Sequence, residues 1–234
     1  MNTSMLIVKD FKLSYGDKVI IDHLNLALPA LQIHGLVGLN GSGKTTFLKG
    51  LYGLKKPASG TVHFEEEPLT KKTIALLETD NFFYSRITGY EYLKLFQIRN
   101  KQFGIEDWNK LFELPLKSLV ETYSTGMKKK LAFMGVICLN KPFYILDEPF
   151  NGVDLDTTQK LKTIIKALKE SGKTIIITSH ILESLTSLCD TISYLKGGTI
   201  NFTTQKEAFE DLEHRIFGEF DKENESIVRA LLNK

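Results

Sequence analysis

With 234 residues, of which 42% are apolar and 25% charged, the chain can bury the core of one large globular domain, and this excludes a disordered chain. A formal charge of +2, with Lys128-Lys129-Lys130 as the one basic run, gives no reason to expect a nucleic-acid partner. Cys138 and Cys189 lie in apolar helical patterns without metal-ligand or redox spacing and read as buried thiols of a reducing compartment. Met1-Asn2-Thr3-Ser4 starts no signal-peptide pattern, and no stretch approaches the ~18 apolar residues of a membrane span, so work at a membrane would need another chain to cross it.

Met5 to Ser14 and Val19 to Leu28 alternate apolar with polar residues around Gly16-Asp17, which predicts an antiparallel hairpin. Tyr15, just before the turn, offers a ring on which a base can stack, or flanks the turn without a ligand. The apolar run Ile33 to Val37 predicts a strand, and the pattern Phe47, Leu48, Leu51, Tyr52 a helix. Between them, Gly38-Leu39-Asn40-Gly41-Ser42-Gly43-Lys44-Thr45-Thr46 fits the phosphate-cradling pattern G-x-x-x-x-G-K-[ST]. Its glycines let backbone N–H groups turn onto β- and γ-phosphates, the helix start adds partial positive charge, Lys44 adds a full one, and Thr45 offers a hydroxyl to Mg²⁺. Turn signals at Pro57 to Gly60 and Glu65 to Pro68 bracket a short strand, Thr61 to Phe64, and a core strand follows at Thr73 to Leu77.

From Glu78 to Thr122 the pattern becomes helical, and the chain reads as one domain over 5–234 with a helical subdomain inserted at about 79–135. Thr88-Gly89-Tyr90-Glu91 is a capping box for a helix with the apolar face Tyr92, Leu93, Leu95, Phe96; Trp108, Leu111 and Phe112 mark a second helix. Ser124 opens a third with a single apolar face of Met127, Leu131, Met134 and Ile137. Lys128 to Lys130 oppose its dipole in the first turn, so they either meet a phosphate or stay solvated. Asn81-Phe82-Phe83-Tyr84 puts three aromatics in a loop, either to fill an interface or to dock a partner.

Phe143 to Leu146 is an apolar run suited to a strand buried on both faces, and it ends in Asp147-Glu148. Two carboxylates at such a strand end are costly to bury unless a cation or proton compensates them, or they lie solvated at a loop entrance; in a phosphate-loop enzyme an Asp there holds Mg²⁺ and the adjacent Glu orients or deprotonates water. Asp154 caps a helix through Leu161, Ile164, Ile165 and Leu168 that stops at Gly172. Thr174 to Thr178 repeats the buried-strand pattern and delivers His180 to the same sheet edge, as a γ-phosphate contact or a structural histidine. Thr191 to Leu195 and Thr199 to Phe202 predict closing strands, and Thr204-x-x-Glu207 a capping box.

Together these motifs resemble the nucleotide-binding subunits of ABC transporters, in family order from about Met5 to Phe202. Tyr15 resembles the adenine-stacking aromatic, Gly38 to Thr46 the Walker A loop, Tyr123-Ser124-Thr125-Gly126-Met127 the signature, Phe143 to Glu148 Walker B, Asn151 to Asp154 the D-loop and His180 the switch histidine. The resemblance implies an α/β phosphate-loop NTPase core with a mainly parallel sheet, an N-terminal antiparallel β subdomain and an inserted α-helical subdomain. It implies Mg²⁺-dependent ATP hydrolysis with Glu148, His180 and Glu78 as catalytic residues and Thr45, Asp147 and Glu78 around the metal. Tyr15, the loop, Ser124, Gly126 and Asp154 would contact nucleotide. Glu78 stands where the family usually has Gln, which resembles the branch that exports peptide antibiotics, and Thr125 and Met127 depart from the signature's Gly and Gln. The implied partners are a second ATP-binding subunit, most simply another copy, and a multi-span membrane subunit. The chain would then be peripheral on the cytoplasmic face of the cell membrane. The alternative is a soluble ABC-type ATPase with a non-transport target.

Overall fold

The computed structural model describes residues 5–218 together with Val228, Leu231 and Leu232, so the rest of the expected domain end lies outside the described residues. β1 (Met5–Tyr15) and β2 (Lys18–Pro29) form the expected hairpin, with Leu6 opposite Leu28 and Val8 opposite Leu26. β4 (Ser59–Phe64) pairs with the free edge of β1, and β5 (Glu67–Pro68) with β4, where a turn alone was expected. These strands make an antiparallel sheet in the order β2-β1-β4-β5. Its alternate residues Leu6, Val8, Phe11 and Leu13 are buried against Phe47, Leu48 and Leu51, with the Phe11 and Phe47 rings edge to face at 5.9 Å.

The second sheet contains β3 (Ile33–Val37), β6 (Ile74–Leu77), β7 (Phe143–Leu146), β8 (Thr174–Thr178), β9 (Thr191–Lys196) and β10 (Thr199–Gln205), in the order β10-β9-β3-β8-β7-β6. All neighbours are parallel except the edge pair β10 and β9. β3, β7 and β8 are buried at every residue, as strands covered on both faces must be. Leu36 lies beside Thr178 and Leu146 beside Ile177, so the three strands end at one edge, where parallel α/β sheets bind ligands. The phosphate loop runs directly from β3 into α1 (Lys44–Tyr52).

Between β6 and β7 lie α2 (Gly89–Gln97), α3 (Ile105–Phe112), a single 3₁₀ turn at Val120–Thr122 and α4 (Thr125–Cys138). The capping box forms: Thr88 Oγ1 accepts from the Glu91 N–H at 3.2 Å, and Glu91 Oε2 accepts from the Thr88 N–H at 2.8 Å. Leu95 and Leu111 leave their expected apolar faces and are exposed, while Trp108 stacks on Phe103. The single face expected for α4 is also corrected. Every residue from Leu131 to Cys138 is buried, because α4 packs on both β6 and α2. A Cβ on Gly135 would stand 2.9 Å from the Phe96 ring, which shows how closely α2 approaches.

Asp154 caps α5 (Leu155–Glu170) by accepting from the Thr157 N–H at 2.7 Å, and Gly172 takes a φ of +83° just beyond its end. α6 (Leu182–Thr186) follows β8. Cys138 and Cys189 are free and buried, and burial pushes the Cys138 thiol up to about 11. The capping box at Thr204 and Glu207 does not form. Thr204 continues β10 opposite Ile192, and its hydroxyl accepts from Arg215 at 2.9 Å.

Candidate nucleotide-binding site

The phosphate loop takes its shape from backbone that only glycine adopts without strain, with φ +79° at Gly41 and +103° at Gly43. A Cβ on Gly38 would stand 2.5 Å from the Leu195 carbonyl, so the loop's start is pressed against β9. Gly43 caps α1 without a side-chain bond, which leaves the first N–H groups of the helix free for a ligand. Lys44 is buried, and its ammonium donates to the carbonyls of Gly38 at 2.6 Å and Leu39 at 3.4 Å. Burial lowers its pKa, against the opposing charges of Glu148 and Asp147.

The end of β7 meets this loop. Asp147, 2% exposed, accepts from Thr45 Oγ1 at 3.0 Å on one oxygen and from Thr178 Oγ1 at 2.7 Å on the other. Glu148 has the left-handed φ of +52°, uncommon for a side chain of its size, and its N–H donates to Thr178 Oγ1 at 2.8 Å. One hydroxyl therefore fixes both acids. The sequence reading missed Thr178, whose only signal was a hydroxyl ending an otherwise apolar strand. Glu148 Oε2 accepts from the His180 N–H at 3.1 Å. Its other oxygen, Oε1, is buried without a hydrogen-bond partner and lies 3.4 Å from His180 Nε2, too poorly aligned for a hydrogen bond. Burial is the largest influence on Glu148 and raises its pKa; His180 and Lys44 act in the opposite direction.

Asn40 to Thr46, Lys49, Glu78, Glu148 and His180 line one cleft of about 490 Å³, with Lys18 and Ile20 from the hairpin and Thr79 and Asp80 after β6. Gly38 and Leu39 are not part of its lining and touch it through their carbonyls' bonds to Lys44, and the Ser42 hydroxyl is buried without a partner. Glu78 reaches the cleft, but its carboxylate rests on Lys49 at 3.2 Å rather than on the Asp147 cluster. Tyr15 is half exposed outside the cleft lining, with Lys55 Nζ 4.3 Å from its ring centroid.

Ser124, Gly126 and Asp154 do not line the cleft either. Ser124 caps α4, accepting from the Met127 N–H at 3.2 Å, and a Cβ on Gly126 would stand 3.3 Å from the Gly152 carbonyl. The Ser124 to Met127 segment and the Asn151 to Asp154 turn therefore adjoin on one surface. The three lysines that follow separate. Lys129 is buried and donates to the Thr79 carbonyl at 3.1 Å, in neither of its two expected settings; burial lowers its pKa, opposed by Asp147, Glu148 and Asp80. Lys130 Nζ lies 3.5 Å from the Phe112 carbonyl.

The residues present suit a magnesium nucleotide. Thr45 and Asp147 bring a hydroxyl and a carboxylate together, both hard oxygen donors, beside a buried carboxylate oxygen with no hydrogen-bond donor of its own. No cluster of three His, Cys, Asp or Glu able to hold a metal occurs among the described residues, so water and phosphate oxygens would complete the shell.

A phosphate loop at the end of a parallel strand, two acids ending its sheet neighbour's neighbour and a cleft between them define a phosphate-loop nucleotide-binding protein. The model of the family described as ABC transporter matches residues 21–151, and the chain belongs to that family. It is 31% identical over 224 residues to the lantibiotic transport ATP-binding protein SrtF of Streptococcus pyogenes, covering 89% of this chain and 94% of that one. It is also 31% identical over 233 residues to the bacitracin transport ATP-binding protein BcrA of Enterococcus faecalis, covering 93% and 74%. Among solved structures, an ATP-binding subunit of an ABC transporter superposes with a TM-score of 0.78 at 25% identity, over 92% of this chain and 93% of that one. A bacterial Atm1-family ABC exporter with ATP bound superposes at 0.82 and 19% identity, over 96% of this chain and 42% of that one, and shares the fold.

Proposed function

We propose that this chain is the Mg²⁺-dependent ATP-hydrolysing subunit of an ABC transporter that drives export by separate membrane subunits. The observation that carries the reading is Glu148 Oε1, a buried carboxylate oxygen without a hydrogen-bond partner, lining the same cleft as Lys44 and the phosphate loop. An acceptor left in that state suits a proton or an ordered water.

Bound Mg-ATP would supply the γ-phosphate, the leaving ADP and a cation that neutralises developing charge. The free N–H groups at the start of α1 and the Lys44 ammonium would bind phosphate oxygens, and Thr45 and Asp147 would hold the cation. Glu148 orients the attacking water and takes its proton at Oε1, while His180 steadies the carboxylate and faces the phosphate. Glu78, if released from Lys49, would serve as a further oxygen ligand for the cation, and Tyr15 would receive the base.

Ser124, Gly126 and Asp154 lie outside the chain's own cleft, and this supports a site shared between two copies, with each signature surface closing over the other's nucleotide. Residues 79–135 then act as a helical subdomain that relays closure to the membrane subunit. No helix among the described residues is long and apolar enough to cross a membrane. The proposed place, the cytoplasmic face of the cell membrane, held by that subunit, is supported by relatives named as transport ATP-binding proteins. The relatives named for lantibiotic and bacitracin transport make an antimicrobial peptide the proposed cargo.

The test is Glu148→Gln in the purified chain. Mg-ATP binding is expected to persist while turnover falls about 10²–10⁴-fold. Near-normal hydrolysis would overturn the reading.

A further inference from the structure

Glu78 and Thr79, the two residues that leave β6, are held by lysines from two different helices. Lys49 of α1 pairs with the Glu78 carboxylate at 3.2 Å, and Lys129, one turn into α4, donates to the Thr79 carbonyl at 3.1 Å. α1 starts in the phosphate loop at Lys44, and α4 starts at Ser124 and carries Gly126. One dipeptide thus ties the helix that would bind this chain's nucleotide to the helix that would meet another chain's.

The Lys129 end of this link is poorly explained by stability alone. Its side chain is buried, and among the described residues its ammonium makes no ion pair and one hydrogen bond, to a neutral carbonyl. Asp147, Glu148 and Asp80 act on it only at longer range. Desolvating an ammonium for so little direct contact is unfavourable. A methionine would fill nearly the same space without that penalty. What the ammonium adds is a directed bond to a segment that lines the cleft.

We propose that Lys129 is a positioning residue. It fixes the start of α4 to the Glu78–Thr79 segment, so that Mg-ATP at this chain's own loop orders Ser124 and Gly126, the surface this chain presents to a second copy. The proposal rests on the function argued above. It makes the two sites of a dimer reciprocal, because whatever one nucleotide does to α4 the partner's nucleotide does in return. The link is short: Glu78 rests on the nucleotide helix until Mg-ATP draws it to the cation, and Thr79 is bonded to α4, so it invites a coupling test rather than an inspection of contacts.

The experiment uses the full chain with Lys129→Met and Lys129→Arg. Mg-ATP affinity is read at protein concentrations where light scattering shows a monomer, and the ATP concentration for half-maximal dimerisation is read in the Glu148→Gln background, which does not consume the nucleotide. Lys129→Met is expected to keep monomer affinity within about twofold while raising the ATP needed for dimerisation roughly tenfold. Lys129→Arg, still charged and still a donor, is expected to recover most of that loss. Unchanged dimerisation of the Met variant overturns the proposal, and so does a parallel loss of monomer affinity and thermal stability, which would make Lys129 a packing residue. Hydrogen exchange on the unmutated monomer needs no variant to fold: Mg-ATP is expected to slow the amides of 128–131, and unaltered exchange also overturns the link. A chain that fails to bind Mg-ATP at all would remove the functional reading itself, an outcome distinct from binding that leaves α4 indifferent.

Discussion

Glu148 and His180 meet through both backbone and ring: the His180 N–H donates to Oε2 at 3.1 Å, and its Nε2 stands 3.4 Å from Oε1. The histidine therefore holds one carboxylate oxygen and attends the other, which makes the pair one unit. Removing either member is expected to cost most of the turnover, and removing both little more. His180→Ala, Glu148→Gln and the double variant, compared by phosphate release at saturating Mg-ATP, measure this. Losses that multiply would mean that the two act separately.

The ion pair between Lys49 and Glu78 sets an opposite pair of expectations. Glu78 must leave Lys49 to serve a cation, and a pair this exposed is worth about 0.2–1 kcal/mol. Lys49→Met is thus expected to lower the Mg²⁺ needed for half-maximal ATP binding by about two- to fivefold. Glu78→Gln, an amide in place of a charged ligand, is expected to raise it. A magnesium titration of each variant decides, and coincident curves would place Glu78 away from the metal.

His34 gives β3 a pH dependence of its own. Its ring is buried, with Nδ1 2.5 Å from Thr191 Oγ1 and Nε2 2.6 Å from the Pro29 carbonyl, and burial lowers its pKa from 6.5 to about 4. The unfolded chain takes up this proton before the folded one, so its contribution to stability is constant above pH 6.5 and is lost as pH falls toward 4. The full loss is on the order of 3 kcal/mol. Thermal unfolding between pH 7 and pH 4 is expected to show a smaller decline for His34→Gln than for the unmutated chain.

The three aromatics after β6 divide between the two roles expected of them. Phe83 packs on Tyr92, its ring centroid 4.9 Å away, while Phe82 and Tyr84 are 75% and 59% exposed and touch each other edge to face. Phe82→Ser with Tyr84→Ser is expected to keep the fold and ATP binding but to release the chain from membranes carrying its partner. Phe83→Ser is expected instead to destabilise the purified chain by about 1–3 kcal/mol. Membrane sedimentation and thermal melts separate the two, and a double variant that stays membrane-bound would move the docking surface elsewhere.

The sequence by itself determined whatever depends on neighbours along the chain. The hairpin around Gly16, the strand, loop and helix from Ile33 to Tyr52, the buried run Phe143 to Leu146 and the caps at Thr88, Ser124 and Asp154 all rest on local periodicity and turn chemistry. The order of these motifs, through the family they resemble, also placed the fold class. Only the tertiary structure decided how distant side chains share charge. Thr178 bonds Asp147 and Glu148 across a parallel strand pair, Glu78 rests on Lys49, and Lys129 turns inward while its neighbours stay partly exposed. Tyr15, Leu95, Leu111 and the unformed box at Thr204 have the same cause, for local pattern cannot say which face a neighbouring element will cover. A buried polar group takes the partner that packing brings to it, and that partner is fixed by the order of strands in the sheet rather than by proximity in the chain.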